Sequence, residues 1–257
     1  MHTKEQLKRD LRLLGIKSGD TVLVHSSYKS LGGIEGGAEA FFSAFFELLG
    51  EEGTLVLPAL SYDSVTRDNP IFDIDGSPSC VGYLSEYFRT RVSGVKRSIH
   101  ATHSCCALGK NAELLTSGHE KDSTPVGENS PFAKLPSVGG KILMLGCKTG
   151  HNTSMHGVEE TVENPYCIDR TAPVEYTLIC GERVIKQMAF RHHFLDENGG
   201  HIRQRYDRVT ELLKGDEISR GRVLDAECFL MDAAAVWREG RRAMMQDPTY
   251  FVEYPEK

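Results

Sequence analysis

The chain has 257 residues, a formal charge of −6, and 40% hydrophobic and 26% charged residues, which fits a folded chain with one sizeable core and excludes a disordered or low-complexity protein. The acidic balance lacks the basic face of a nucleic-acid binder and tolerates a cationic partner. No run approaches the ~20 apolar residues of a membrane span, and seven cysteines without a CxxC pair read as reduced thiols of a cytoplasmic protein.

The amino terminus is charged from its first residues, unlike a signal peptide. Thr3 to Leu14 places Leu7, Leu11 and Leu14 at helical spacing behind a capping threonine, and Gly15 ends the pattern. Asp20 to His25 reads as a strand. Ser26 to Gly37 is a small-residue loop leading into a phenylalanine-rich helix, Ala38 to Leu49, and Thr54 to Pro58 is a second buried strand. Strand, helix, strand predicts a parallel pair with a crossover and hence an α/β sheet. Ser61 to Ser79, rich in Asp, Asn, Pro and Ser, reads as a long substrate-facing loop. Gly82 to Arg91 and Ala107 to Gly118 read as helices, and Lys141 to Gly146 as a buried strand feeding a reactive loop. Val174 to Cys180 and Arg183 to Phe190 alternate around Gly181-Glu182 as an antiparallel hairpin. Asp207 to Lys214 is expected to be helical, Arg222 to Leu230 a strand, and Asp232 to Met245 the last helix. With no clean linker, residues 1–257 are expected to form one domain with a smaller carboxyl-terminal subdomain. Tyr250, Phe251 and Tyr254 read as docked tail residues.

Three polar clusters interrupt this scaffold. In Asn152-Thr-Ser-Met-His156-Gly-Val-Glu159-Glu160, an imidazole and two carboxylates fall within one helical turn, a pattern suited to general-base chemistry with the carboxylate holding the ring. Glu159 at i+3 and Glu160 at i+4 are equal geometric candidates for that partner. The loop containing Ser26, Ser27, Lys29, Ser30, Leu31 and Gly32 offers glycines, hydroxyls and free amides before a helix, a setting for a phosphate or diphosphate that matches neither a Walker loop nor a dinucleotide fingerprint. Arg97-Ser98-Ile-His100-Ala-Thr-His103-Ser104 combines a guanidinium, two imidazoles and three hydroxyls able to hold a phosphate or face a polar ligand. His192-His193 reads as surface or strand-end residues. The histidines lack a recognised metal spacing, so no metal is expected.

Taken in order, Val24-His25-Ser26-Ser27 with Ser30-Leu31-Gly32, Gly36-Gly37-Ala38, Gly53 to Pro58, Arg97-Ser98 with His103-Ser104, Gly127 to Phe132, and Asn152 to His156 with Glu159-Glu160 resemble the aminoglycoside 3-N-acetyltransferase family over most of the chain. The resemblance implies a mixed, largely parallel central sheet flanked by helices, with a small antiparallel C-terminal subdomain. It also implies an acyltransferase that moves the acetyl group of acetyl-CoA to the 3-amino group of a 2-deoxystreptamine aminoglycoside or a related amine, an activity of the antibiotic-resistance type. His156 is then the general base. Ser26, Ser27, Lys29, Ser30, Leu31, Gly32, Arg97, Ser98, His103, Ser104, Thr153 and Ser154 are then the cofactor-side residues, with Thr153 or Ser154 as oxyanion donors. Asp63, Asp68, Asp196 and Glu197 are the acidic candidates for holding a cationic small-molecule acceptor. The chain departs from the family pattern at His100-Ala101, where a His-Pro pair is expected, and is only loosely similar after His193.

Two alternatives stand beside this reading: a metal-assisted hydrolase built on His100, His103, His151 and His156, and a coenzyme A-binding protein with another acceptor or no turnover. Neither nucleic acid nor membrane is expected as a partner, and both monomer and homodimer fit the sequence.

Overall fold

The computed structural model describes residues 1–195 and 199–254. Helix α1 (Lys4–Leu14) begins at a reciprocal cap: the Thr3 hydroxyl accepts from the Gln6 amide while the Gln6 side chain accepts from the Thr3 amide. It stops at Gly15, whose φ of 118° lies in the left-handed region. Strand β1 (Thr21–Ser26), helix α2 (Gly37–Leu49) and strand β2 (Thr54–Pro58) then form the expected parallel pair with a helical crossover. In chain order there follow β3 (Ile71–Asp73), α3 (Tyr83–Arg91), β4 (Lys96–Arg97), β5 (Cys105–Gly109), α4 (Ala112–Thr116), α5 (Pro131–Lys134), β6 (Lys141–Leu145) and α6 (Ser154–Glu160). The second half contains β7 (Val174–Cys180), β8 (Arg183–Ala189), β9 (Arg203–Gln204), α7 (Val209–Leu212), β10 (Ile218–Val223), β11 (Ala226–Asp232), α8 (Ala233–Gln246) and β12 (Val252–Glu253).

Seven strands form a mixed central sheet in the order β10-β11-β6-β1-β2-β5-β4. It is parallel at its centre, where β1 lies between β6 and β2, and antiparallel toward both edges. Successive residues of β1 go to opposite cores: Val22 and Val24 pack with Phe41 and Phe45 of α2, whereas Leu23 packs with Ile142, Met144 and Val158. Helices thus cover both faces, which is why the central strands are continuous apolar runs. A smaller three-stranded sheet, β3-β7-β8, has its own cluster of Val65, Phe72, Tyr176, Leu178 and Ala189.

The architecture is the α/β one expected, with local corrections. The segment Ala107 to Gly118 opens not as helix but as β5, paired with β2, and only Ala112–Thr116 is helical. Cys105 and Ala107 face one core and Cys106 the other, which is strand alternation. The segment Arg222 to Leu230 is not one strand: β10 and β11 form a hairpin that turns at Leu224, a non-glycine residue with φ of 52°. Asp207 to Lys214 shortens to α7 after a 3-10 turn, Tyr206–Arg208. The expected small antiparallel unit is the hairpin of β7 with β8, which takes β3 from the Ser61 to Ser79 loop as a parallel neighbour, while β10 and β11 extend the main sheet. All seven cysteines are free thiols. No helix among the described residues is long and apolar enough to cross a membrane.

Candidate active site

Strands β6, β1 and β2 run parallel and adjacent, so their carboxyl ends deliver their loops to one edge of the sheet, where open α/β sheets bind ligands. From β1 come His25 to Lys29, from β2 Pro58, Leu60 and Tyr62, and from the segment after β6 Cys147, Gly150, His151, Thr153 and His156; together with Tyr83, His103, His192 and Tyr206 they line a cleft of about 1100 Å³.

His156 sits on α6 at the cleft wall. Its Nδ1 lies 2.7 Å from the Tyr206 hydroxyl, which in turn donates to Glu159 Oε2 at 2.5 Å. The direct distance from Nδ1 to Oε2 is 3.7 Å, so the carboxylate reaches the ring through the phenol. The hydroxyl has one proton and gives it to Glu159, so Nδ1–H is the donor to Tyr206, and in the neutral ring Nε2 is the nitrogen with the lone pair. Burial and the neighbouring Glu159 charge hold the Tyr206 phenol well above its ordinary range, which keeps that proton in place. Glu160 belongs to a different pair: it accepts from His192 Nε2 at 2.7 Å and from the Val126 amide at 3.0 Å. Burial pushes the Glu160 carboxyl up to about 7 and holds the His192 imidazole well below its usual range, so both favour their neutral forms.

His103 completes the wall. Its Nδ1 is 2.9 Å from the Thr102 hydroxyl, and its ring centroid is 5.0 Å from that of His192, which is 4.6 Å from that of His156. Phe194, held at φ of 46°, packs its ring 5.2 Å from His156. His25 also lines the cleft, and burial, with the charges of His151 and His156, pushes it down to about 3.

The first polar loop is divided by the fold. Ser26, Ser27 and Lys29 line the cleft, and Ser30, whose hydroxyl donates to Ser27 Oγ at 2.8 Å, lines an adjoining cavity of about 800 Å³ with Lys148, Arg203 and Arg205. Leu31 is fully buried in the core, and a side chain on Gly32 would collide with Asp225, so these two shape the loop without lining either cavity. In the second cluster, Arg97 is buried: its guanidinium donates to Ser104 Oγ and to the carbonyls of Ile74, Ser77 and Ala59, fixing the Ser61 to Ser79 loop to the sheet. With its donors engaged inside the protein, Arg97 has no face toward a ligand. Ser98 is likewise buried, between the Cys105 amide and His119, and Ser104 donates to Ala59 O. His100 stacks on His119 and accepts the amides of Thr102 and His103; it shapes the turn that presents His103 and lies outside the cleft.

Thr153 lines the cleft and Ser154 is buried. Asp63 and Asp68 are exposed on their loop, outside both cavities, and Asp196 and Glu197 lie outside the described residues. The set expected for a hydrolase is not assembled, since His100 is turned into the core; His192 instead joins His103 and His156. His192, expected at a surface or strand end, is inside the site. Tyr206 carries no motif of its own and was not legible as a site residue, because 50 residues separate it from His156.

A family model described as aminoglycoside 3-N-acetyltransferase matches residues 23–245. The prophage-derived aminoglycoside N(3')-acetyltransferase-like protein YokD of Bacillus subtilis is 32% identical, across 77% of this chain and 79% of its own. Aminoglycoside N(3)-acetyltransferase VII of Streptomyces paromomycinus is also 32% identical, across 77% and 72%. Among solved structures, AAC-IIIb in a binary complex with CoASH superposes with a TM-score of 0.79 at 28% identity, covering 99% of each chain. A histidine mutant of AAC(3)-IVa in complex with a gentamicin superposes with a TM-score of 0.81 at 27% identity, covering 99% of this chain and 92% of that one. The three ordered polar segments, the mixed sheet that brings residues of all three to one edge, and a family match across most of the chain agree: this chain belongs to the aminoglycoside 3-N-acetyltransferase family.

Proposed function

We propose that residues 1–257 act as one catalytic domain that transfers the acetyl group of acetyl-CoA to the 3-amino group of a 2-deoxystreptamine aminoglycoside or a related cationic amine, with His156 as general base. The observation that carries this reading is the chain from His156 Nδ1 through the Tyr206 hydroxyl to Glu159, which leaves Nε2 bare at the cleft wall. The relatives whose names state coenzyme A and gentamicin complexes support the two substrates.

In this mechanism the acceptor ammonium first gives one proton to solvent. The neutral nitrogen attacks the thioester carbonyl while Nε2 removes its second proton, and the C–N bond forms. Glu159, acting through Tyr206, supports the imidazolium. The tetrahedral oxyanion then collapses, the C–S bond breaks, and the imidazolium returns the proton to the leaving thiolate. Ser26, Ser27, Lys29 and Thr153, which line the same cleft, are the cofactor-side residues we retain, with Ser30 and Lys148 at the adjoining cavity suited to phosphate. A cleft of about 1100 Å³ is large enough for two substrates to meet. The reading places the protein in the cytoplasm, where its thiols stay reduced.

The test is thiol release from acetyl-CoA with a panel of deoxystreptamine aminoglycosides. Acceptor-dependent release is expected, falling about a hundredfold or more in His156→Ala. Wild-type turnover in a folded His156→Ala protein would overturn the assignment of the base.

A further inference from the structure

Three imidazoles converge in the cleft with more order than a single general base requires. One ring nitrogen from each of His103, His156 and His192 lies within 4.8 Å of the others. Each ring is anchored through a nitrogen with a fixed partner: His103 Nδ1 at the Thr102 hydroxyl, His156 Nδ1 at Tyr206, and His192 Nε2 at Glu160. For the other nitrogen of each ring there is no hydrogen-bond partner among the described residues. Metal-binding histidines are built this way, with one nitrogen held by a hydroxyl or carboxylate and the other presented to the ion. Glu160 behind His192, and Glu159 behind Tyr206 and His156, place two acidic side chains behind the three rings. The neighbouring cation, Arg191, also lines the cleft, with its guanidinium engaged by the carbonyls of Val65 and Tyr62 and the Tyr176 hydroxyl.

We propose that His103, His156 and His192 bind a divalent transition-metal ion of the zinc class, and that this ion and the acceptor amine compete for the same nitrogen of His156. The second half rests on the transferase reading above; the first does not. Three nitrogens on one zinc ion stand about 3.3 Å apart, so binding draws the rings inward from their present spacing. Three protein ligands leave the fourth position to water, and neutral imidazoles favour zinc, cobalt or nickel over magnesium. An ion on His156 Nε2 removes the lone pair that general-base catalysis needs. The metal therefore acts as an inhibitor.

The full chain, stripped with a chelator, is dialysed against Zn(II) and, separately, titrated with Co(II) while its visible absorption is recorded. One ion per chain is expected, with a cobalt spectrum free of thiolate charge transfer. His103→Gln and His192→Gln are each expected to weaken binding about tenfold or more, while His201→Ala, at an exposed histidine, binds as wild type. Circular dichroism melts confirm that the variants are folded; should either glutamine variant unfold, the matching alanine variant takes its place. Substoichiometric uptake by wild type, a thiolate signature, or binding unchanged in both site variants would overturn the site. Thiol-release assays in chelator and in added Zn(II) provide the second arm: inhibition by zinc in wild type, relieved in His192→Gln relative to that variant's own metal-free rate, is expected. Cobalt binding without any transferase activity would sink the transferase reading and leave the metal site standing, whereas transfer without cobalt binding would do the reverse.

Discussion

Glu159 cannot touch the ring it serves. At 3.7 Å the carboxylate is beyond hydrogen-bonding range of His156 Nδ1, and the Tyr206 hydroxyl at 2.7 Å and 2.5 Å makes the connection. Removing that hydroxyl leaves the imidazole without a tautomer-fixing acceptor and Glu159 without its donor. Tyr206→Phe is therefore expected to lower kcat about ten- to a hundredfold while leaving the KM for acetyl-CoA near its wild-type value, as for a positioning residue outside the substrates. Loss of this hydrogen bond to a buried carboxylate is expected to cost about 1–3 kcal/mol of stability as well, measured by urea unfolding. An unchanged kcat would show that Tyr206 does not support the base. At this scale the sequence was partly legible. The i+3 spacing put Glu159 on the face of His156, but it offered Glu160 equally, and only the fold separates them by giving Glu160 to His192. Arg97 was readable as a guanidinium among hydroxyls, yet the sequence has no means of showing that four acceptors inside the protein consume it.

The helix that presents His156 is short, and its position depends on a glycine. A Cβ on Gly157 would overlap the Trp237 ring of α8 and lie 2.7 Å from Val126 Cγ1, so α6 seats directly against its neighbours. Gly157→Ala keeps the helix propensity favourable and fails sterically, since the Trp237 ring and the Val126 side chain must both shift to admit the methyl. It is expected to lower stability by about 1–3 kcal/mol and to reduce kcat by displacing His156, measured by unfolding and steady-state kinetics on the same preparation. Thr3→Ala makes the opposite comparison: loss of the α1 cap is expected to cost about 1 kcal/mol with kcat unchanged, because α1 contributes nothing to the cleft. Equal kinetic damage from both variants would mean that global stability, not the seating of α6, governs the site. Elements with strong local signals were those legible in the sequence, as with α1 between Thr3 and Gly15. Cys105 to Ala107 is too short a run to reveal its period, and the β10-β11 hairpin turns at a leucine, where no glycine or asparagine marks the reversal.

Across the whole molecule the histidines set the response to acid. Burial is the largest cause holding His25, His100, His103, His119 and His192 below their ordinary range, His25 and His100 at about 3. The unfolded chain takes up protons at these five rings as pH falls through 6.5, and the folded chain refuses them, so their stabilising contribution is complete above 6.5 and is lost on acidification. Each changes stability by at most about 1.4 kcal/mol per pH unit, a slope approached below 6.5. Glu160 runs the other way: its carboxyl is raised from 4.5 to about 7, so its contribution is complete below 4.5 and is lost as pH rises through 7. Five such rings against Glu160 leave a net loss toward acid of about 5 kcal/mol between pH 7.5 and 5.5, comparable with the lower end of the ~5–15 kcal/mol of a folded domain. Urea midpoints are expected to drop steeply between pH 7.5 and 5.5. Glu160→Gln is expected to steepen that dependence, gaining relative to wild type at pH 7.5 and losing more than half of that gain by pH 5.5; midpoints flat across the range would show that the rings are not buried neutral. The same neutrality bears on function, because His25, His103 and His192, held below their ordinary range by burial, place no charge on the cleft wall at neutral pH to repel a cationic amine, and the protons that would charge them are those that also destabilise the fold.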